Sequence, residues 1–285
     1  YGGIAARLCH VECYVAALSG LGYSFTGDRG RGGLARAMRA ALRVALKWPG
    51  CRVILQNPDD MADLVARGIV REPQVTVIRG SGVDLDEFSH SRESDDDEAR
   101  VVLAARMLRD KGVVEFAQAA ALVREQRPDV EFLLAGPLDP DNPAGLPLTE
   151  VRDLERRYGV QWLGPVDDVA GLYRRASIVC LPSYREGLPK ALIEACAIGR
   201  AVVTTDVPGC REVVTDGWNG VLVPPGDSAA LASAIGRLLS DSALRCEMGR
   251  RGRLRAEREF DVSAIVAQTL QLYERADARR LGTHP

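Results

Sequence analysis

Glu186 and Glu194 stand eight positions apart around a loop that runs into a helix: Pro182-Ser183-Tyr184-Arg185-Glu186-Gly187-Leu188-Pro189, then Lys190 to Ile198. The apolar run Ile178 to Leu181 before the loop reads as a buried strand. Pro189 suits the first helical position, because its φ is already helical and its missing N–H would have had no partner there. Gly187 lets the backbone approach a ligand, and the free N–H groups of a first turn, at the positive end of the helix dipole, suit a phosphate. Two carboxylates so placed can bracket a nucleotide sugar, Glu186 at the sugar hydroxyls and Glu194 at the ribose diol. The plain alternative is a surface Glu favoured by the dipole and a Glu194 paired with Lys190 at i,i+4.

Two further clusters carry charge or backbone freedom. In Ala105-Arg106-Met107-Leu108-Arg109-Asp110-Lys111-Gly112, just after an apolar strand, Arg106 as a fork and Lys111 as a point charge can converge on a diphosphate; a solvated basic turn is the alternative. In Gly80-Ser81-Gly82-Val83-Asp84, Gly80 and Gly82 permit close backbone approach to a ligand cleft.

These loops need strands to hold them. Apolar runs at Tyr14 to Leu18, Arg52 to Gln56 and Val75 to Ile78 alternate with helical stretches. A second series follows at Val101 to Ala105, Glu131 to Ala135, Gln161 to Leu163, Ile178 to Leu181, Ala201 to Thr205 and Gly220 to Val223, and helices Ser228 to Leu239, Ala243 to Glu259 and Val262 to Ala276 close the chain. Strands this continuously apolar, with helices between them, argue α/β architecture with doubly wound parallel sheets. The predicted organisation is a first Rossmann-like domain over residues 1–90, a nucleotide-binding domain over 91–262 and a C-terminal helix over 263–285. Three strands are few for a doubly wound sheet, so the first domain is expected to be incomplete here.

Together with Gly20-Leu21-Gly22-Tyr23 and Thr204-Thr205-Asp206-Val207-Pro208-Gly209-Cys210-Arg211-Glu212, these elements resemble glycosyltransferase family 4, in the subgroup that builds capsules and O-antigens. The resemblance runs over nearly the whole chain and implies a GT-B fold, with two Rossmann-like domains facing a cleft. It also implies transfer of a hexose or N-acetylhexosamine from a nucleotide-diphosphate sugar, with UDP the expected nucleotide, to a lipid-linked saccharide acceptor with retention of configuration. Arg106 and Lys111 would hold the diphosphate, Glu186 the donor sugar and Glu194 the ribose. Trp162 to Val166 would flank the base, and the backbone of Gly187, Leu188 and Pro189 would face the leaving phosphate. No cofactor or metal is implied. One departure is Ser19, which stands where many relatives carry a His and cannot carry a proton at neutral pH as imidazole does.

Arg36, Arg39, Arg43 and Lys47 fall on one face of a helix from Leu34 to Trp48, inside a stretch from Arg29 to Pro58 with seven basic residues and no acid. Such a face fits an anionic membrane surface or, alternatively, an ordinary solvated helix; without interleaved aromatics it is a poor stacking platform for nucleic acid. With no apolar run long enough to span a membrane and no secretory leader, the expected location is cytoplasmic and peripheral on the inner membrane face. Asp84 to Glu98 reads as a solvated acidic linker. The seven cysteines lack metal spacing and read as small buried hydrophobes. Of the histidines, His10 falls close to the expected cleft, while His90 and His284 fall in a linker and a tail, and all three read as ordinary residues without a functional role. Asp139-Pro140-Asp141 mimics the metal-binding Asp-x-Asp of another transferase class but reads more simply as a turn. A nucleotide-binding module without transfer and a nucleotide-sugar epimerase on the same fold are the competing functional readings.

Overall fold

The computed structural model describes residues 1–20, 33–80, 82–92 and 99–280. Outside them lie Leu21, Gly22 and Tyr23 of the glycine turn, Arg29 and Arg31, Ser81, the acidic run from 93 to 98, and His284. Two compact units divide the chain: Tyr1–Gly82 with Val262–Pro285, and Val83–Asp261.

In the first unit, β1 (Tyr14–Leu18), β2 (Cys51–Leu55) and β3 (Val75–Val77) form a parallel sheet in that order, with α1 (Gly2–Leu8) before β1, α2 (Gly33–Leu46) between β1 and β2, and α3 (Pro58–Ala66) between β2 and β3. Leu55, Leu64 and Ile69 are fully buried in its core. Asn57 caps α3 by accepting the Asp60 N–H at 2.7 Å. Ile265, from the last helix of the chain, is buried beside Ile54 and Ile78.

The second unit holds β4 (Arg100–Ala104), α4 (Val113–Arg124), β5 (Glu131–Ala135), α5 (Leu148–Tyr158), β6 (Gln161–Trp162), α6 (Val169–Arg174), β7 (Ile178–Leu181), α7 (Lys190–Ile198), β8 (Ala201–Thr205), α8 (Cys210–Val213) and β9 (Gly220–Val223). After it come α9 (Ser228–Ser240), α10 (Ser242–Glu259) and α11 (Val262–Arg280), the last of which belongs to the first unit. The six strands lie parallel in the order β6-β5-β4-β7-β8-β9. Alternate residues feed opposite faces: Val101, Leu103, Ile178, Cys180 and Val203 enter one core with Phe116 and Phe132, whose rings meet edge to face at 5.6 Å. Val102, Val179, Leu181 and Val202 enter the other, with Leu192, Ile193 and Phe260. Burial on both faces is why these strands are apolar throughout.

Several expectations need correction. The units divide at Gly82–Val83, not after residue 90. Val83 donates its N–H to Phe260 O at 2.8 Å, Phe88 is buried in the second unit, and Ser91 N–H reaches Ile198 O at 3.0 Å. The first part of the acidic stretch is therefore a strap on the second unit rather than a solvated linker. Arg200, 1% exposed, anchors it. Its guanidinium donates to Ser91 O at 2.7 Å and to the last carbonyls of α6, Tyr173 O at 3.0 Å and Arg174 O at 2.6 Å. A helix C-terminus offers both unpaired carbonyls and negative dipole to such a cation. Cysteines 51, 180, 196 and 210 are buried as expected, but Cys9 and Cys246 are exposed and Cys13 is only partly covered.

Candidate functional site

In a sheet of this order the direction of winding reverses between β4 and β7, and the loops at their C-terminal ends diverge to leave a crevice. Those two loops carry the predicted charged residues. Arg106 stands two residues after the end of β4; Lys111 ends the 3₁₀ turn Arg109–Lys111, and Gly112 then starts α4 with φ 71°. A Cβ on Gly112 would meet Pro182 O at 2.1 Å, so only glycine lets the two loops lie this close. Tyr184 N–H donating to Asp110 O at 3.0 Å fastens them together.

Across that junction Lys111 Nζ meets Glu186 Oε1 at 2.5 Å, with side chains 23% and 9% exposed. Ser183, fully buried, donates to the same oxygen at 2.6 Å. The loop is braced from β8: Thr204 Oγ1 donates to Leu181 O at 2.6 Å and Thr205 Oγ1 donates to Ser183 O. Gly209, at φ 82°, closes it, since a Cβ there would lie 2.6 Å from the carbonyl oxygens of both Glu186 and Gly187. Burial pushes the neighbouring Cys210 thiol up to about 12, which leaves it an inert core group rather than a nucleophile.

Pro189 is the N-cap of α7, with φ −74° and ψ 107°, not its first helical residue. Its carbonyl accepts from Leu192 and Ile193, so the position starts the helix as a cap does. No side chain caps α7 and no acid stands in its first turn. The positive end of its dipole is thus not met by a capping carboxylate.

Beside this helix start lies a cavity of about 330 Å³, walled by Arg106, Gly136, Val166, Tyr173, Ala191 and Glu194 among others. Glu194 is 8% exposed. Burial raises its carboxyl, and Lys190, 3.2 Å away, opposes that shift. The i,i+4 pair and the cavity wall are therefore both real features of Glu194. Arg106 lies on the wall with its guanidinium turned to Asp139 at 2.6 Å. Both expected diphosphate cations thus carry a carboxylate, Glu186 for Lys111 and Asp139 for Arg106.

Not every expected residue joins the cavity. Val166 does, but Trp162 is not among the lining residues. Its indole N–H donates to Gly136 O at 3.0 Å, and Arg152 covers its ring at 5.3 Å. Trp162 is thus held between Arg152 of α5 and the Gly136 carbonyl just after β5. Gly80 and Gly82, in the first unit, take φ 73° and 72°, which a side chain at either position would strain. Ser19 is exposed at the end of β1, and His10 is exposed with φ 54°. Asp139 accepts Asn142 N–H at 3.2 Å, closing a turn, and no group of three or more potential metal ligands occurs among the described residues. Sequence reading missed Ser183, Tyr173 and Arg200. Ser183 lies inside the motif and was legible; the other two act through burial, which spacing does not report.

On the basic helix, Arg43 donates to Gly68 O at 3.1 Å and Arg67 O at 2.6 Å, at the C-terminal end of α3. It is tied to that helix end although, like Arg36, it is exposed. Arg36, Arg39, Arg43 and Arg67 line a hollow of about 300 Å³.

Residues 98–241 match the family model described as "Glycosyl transferases group 1". The chain is 27% identical to the N,N'-diacetylbacillosaminyl-diphospho-undecaprenol alpha-1,3-N-acetylgalactosaminyltransferase of Campylobacter jejuni, covering 96% of this chain and 74% of that protein. It is 32% identical to the MMP alpha-(1->4)-mannosyltransferase of Mycolicibacterium hassiacum over 83% of this chain and 56% of that one. Among solved structures, sucrose-phosphate synthase from Thermosynechococcus elongatus matches with a TM-score of 0.80 at 27% identity, over 96% of this chain and 71% of that one. Anabaena HepE in complex with UDP and glucose matches with a TM-score of 0.79 at 22% identity, over 96% of this chain and 74% of that one, a likeness of fold.

Proposed function

Because the chain belongs to the group 1 glycosyl transferases, in the GT-B class of folds, we propose that it is most of a retaining hexosyltransferase whose nucleotide-sugar site is the crevice between β4 and β7. The relatives span more than this chain, so the whole enzyme's reaction is inferred from the part seen here. The carrying observation is the convergence of Arg106 and Glu194 on one cavity wall beside α7, with the Lys111–Glu186 pair on the adjoining loop.

In this reading a nucleoside diphosphate, with UDP the proposed one, lays its base against Val166 and its ribose hydroxyls against Glu194. Its diphosphate reaches the N-terminus of α7 and the backbone of Gly187 and Leu188. Lys111 exchanges Glu186 for the phosphate oxygens, which frees Glu186 to accept hydroxyls of the donor sugar. Charge that develops on the departing diphosphate is met by Arg106, Lys111 and the helix dipole, so the reading assigns no metal. The acceptor is proposed to be a lipid-linked saccharide, in keeping with the diphospho-undecaprenol in the name of the Campylobacter relative.

The test is binding and transfer by the protein. UDP should raise the melting temperature more than GDP or ADP, and radiolabel should pass from a UDP-hexose or UDP-N-acetylhexosamine to a polyprenyl-diphosphate saccharide in EDTA. Binding without any transfer would leave a nucleotide-binding module; a new nucleotide sugar without acceptor would show an epimerase. A peripheral membrane role through Arg36, Arg39, Arg43 and Lys47 belongs to the same proposal. It predicts salt-sensitive cosedimentation with anionic liposomes, and no binding at low salt refutes it.

A further inference from the structure

Asp139-Pro140-Asp141 lies in the stretch between β5 and α5, and the folded chain gives its first carboxylate a partner, Arg106 Nη1 at 2.6 Å. The two side chains come from segments laced together by backbone hydrogen bonds. Met107 N–H donates to Pro137 O, Arg109 N–H to Ala144 O and Leu146 N–H to Met107 O, each at 2.9 Å. Met107 and Leu146 are buried in the same core beneath this lacing. Neither backbone can shift without the other, so the Asp139 carboxylate stays beside the root of the Arg106 side chain.

That placement matters because the Arg106 side chain is 54% exposed, against 22% for Asp139. A long cation so open to water samples many rotamers, and an anion that binds it must first fix them, at a cost in affinity. Asp139 fixes them beforehand. It takes Nη1 and leaves the edge formed by Nε and Nη2, whose two parallel N–H groups match an oxyanion. Arg106 lines the cavity and Asp139 does not, so the carboxylate grips the fork from outside the space that Gly136 and Val166 enclose.

We propose, resting on the donor-site reading above, that Asp139 is a positioning residue for the nucleotide's diphosphate, acting through Arg106 by holding its guanidinium ready on the cavity wall. Calorimetry of UDP against wild type, Asp139→Ala, Asp139→Glu, Arg106→Met and the Asp139→Ala/Arg106→Met double variant tests it, with the melting temperature of each unliganded protein alongside. Asp139→Ala should bind UDP about three- to tenfold more weakly, the cost of immobilising one rotamer-rich side chain. Asp139→Glu, which returns a carboxylate to the fork, should restore most of that loss. In the Arg106→Met background Asp139→Ala should change nothing. The unliganded Asp139→Ala protein should melt within about 4 °C of wild type, as the loss of a partly exposed ion pair allows. An equal loss with and without Arg106 would make Asp139 a part of its loop alone, and unchanged or tighter binding would make its carboxylate idle or a competitor of the phosphate; either overturns the proposal. If Arg106→Met leaves UDP affinity unchanged, or wild type does not bind UDP, the donor-site reading itself falls, and this inference with it.

Discussion

Replacing Lys111 by Met keeps the length of the side chain and removes its charge, which separates two jobs the structure gives it. In the ligand-free protein the lysine neutralises Glu186, whose side chain is 9% exposed and whose other contact is the Ser183 hydroxyl at 2.6 Å. Breaking a fully buried ion pair costs about 3–5 kcal/mol; with Lys111 23% exposed, water reaches the vacated site and about 1–2 kcal/mol is expected. At roughly 2–4 °C per kcal/mol for a domain of this size, calorimetry should show a drop of several degrees. The double variant with Glu186→Gln should recover most of it, because the orphaned charge is gone, with a coupling of about 1–2 kcal/mol. Nucleotide affinity should behave differently. A charge-assisted contact to the diphosphate is worth about 1.5–3 kcal/mol, or roughly 10- to 150-fold in Kd, and Glu186→Gln cannot restore it. If Lys111→Met leaves UDP affinity and melting temperature unchanged, or if the two substitutions add without coupling, the assignment is refuted.

Glu194→Gln should stabilise the unliganded protein at neutral pH while weakening nucleotide binding. The folded carboxyl titrates above 4.5, so wild-type stability relative to the variant is greatest below 4.5 and falls as pH rises through the folded value; denaturant melts between pH 4 and 8 show whether the difference has this sign. Arg200→Met should destabilise by on the order of 3 kcal/mol, since several buried carbonyls lose their donor. Limited proteolysis should then cut near residues 88–92, and an unchanged digestion pattern would count against the strap. Gly209→Ala forces both a strained φ and a contact with the Glu186 and Gly187 carbonyls, so about 1–3 kcal/mol of stability and a measurable part of UDP affinity should be lost. A stable variant with wild-type affinity would show that the loop tolerates displacement.

Much of the fold was written in local pattern. Short apolar runs bounded by turn residues located β1, β5, β7, β8 and β9 at their observed limits, and the remaining strands within a residue at either end. Helix Lys190 to Ile198 was found as it stands, because Gly199 ends it with φ 91° and proline precedes it. The motif residues Glu186, Glu194, Arg106 and Lys111 were singled out by type and spacing. What spacing cannot report is pairing across the sheet. That β4 lies beside β7, bringing Lys111 to Glu186 and Gly112 to Pro182, follows from a crossover order that only the folded core selects.

The sequence by itself determined which segments are strands and helices and which charged residues sit in the loops after them, since those depend on short-range patterns. Tertiary structure decided the rest. It set the Trp162 indole on the Gly136 carbonyl, bound residues 83–92 to the second unit and left the Tyr173 hydroxyl buried with no hydrogen-bond partner among the described residues. Each of these depends on which distant surfaces exclude water from a side chain. Burial is a property of the packed whole, and no local run of residues encodes it.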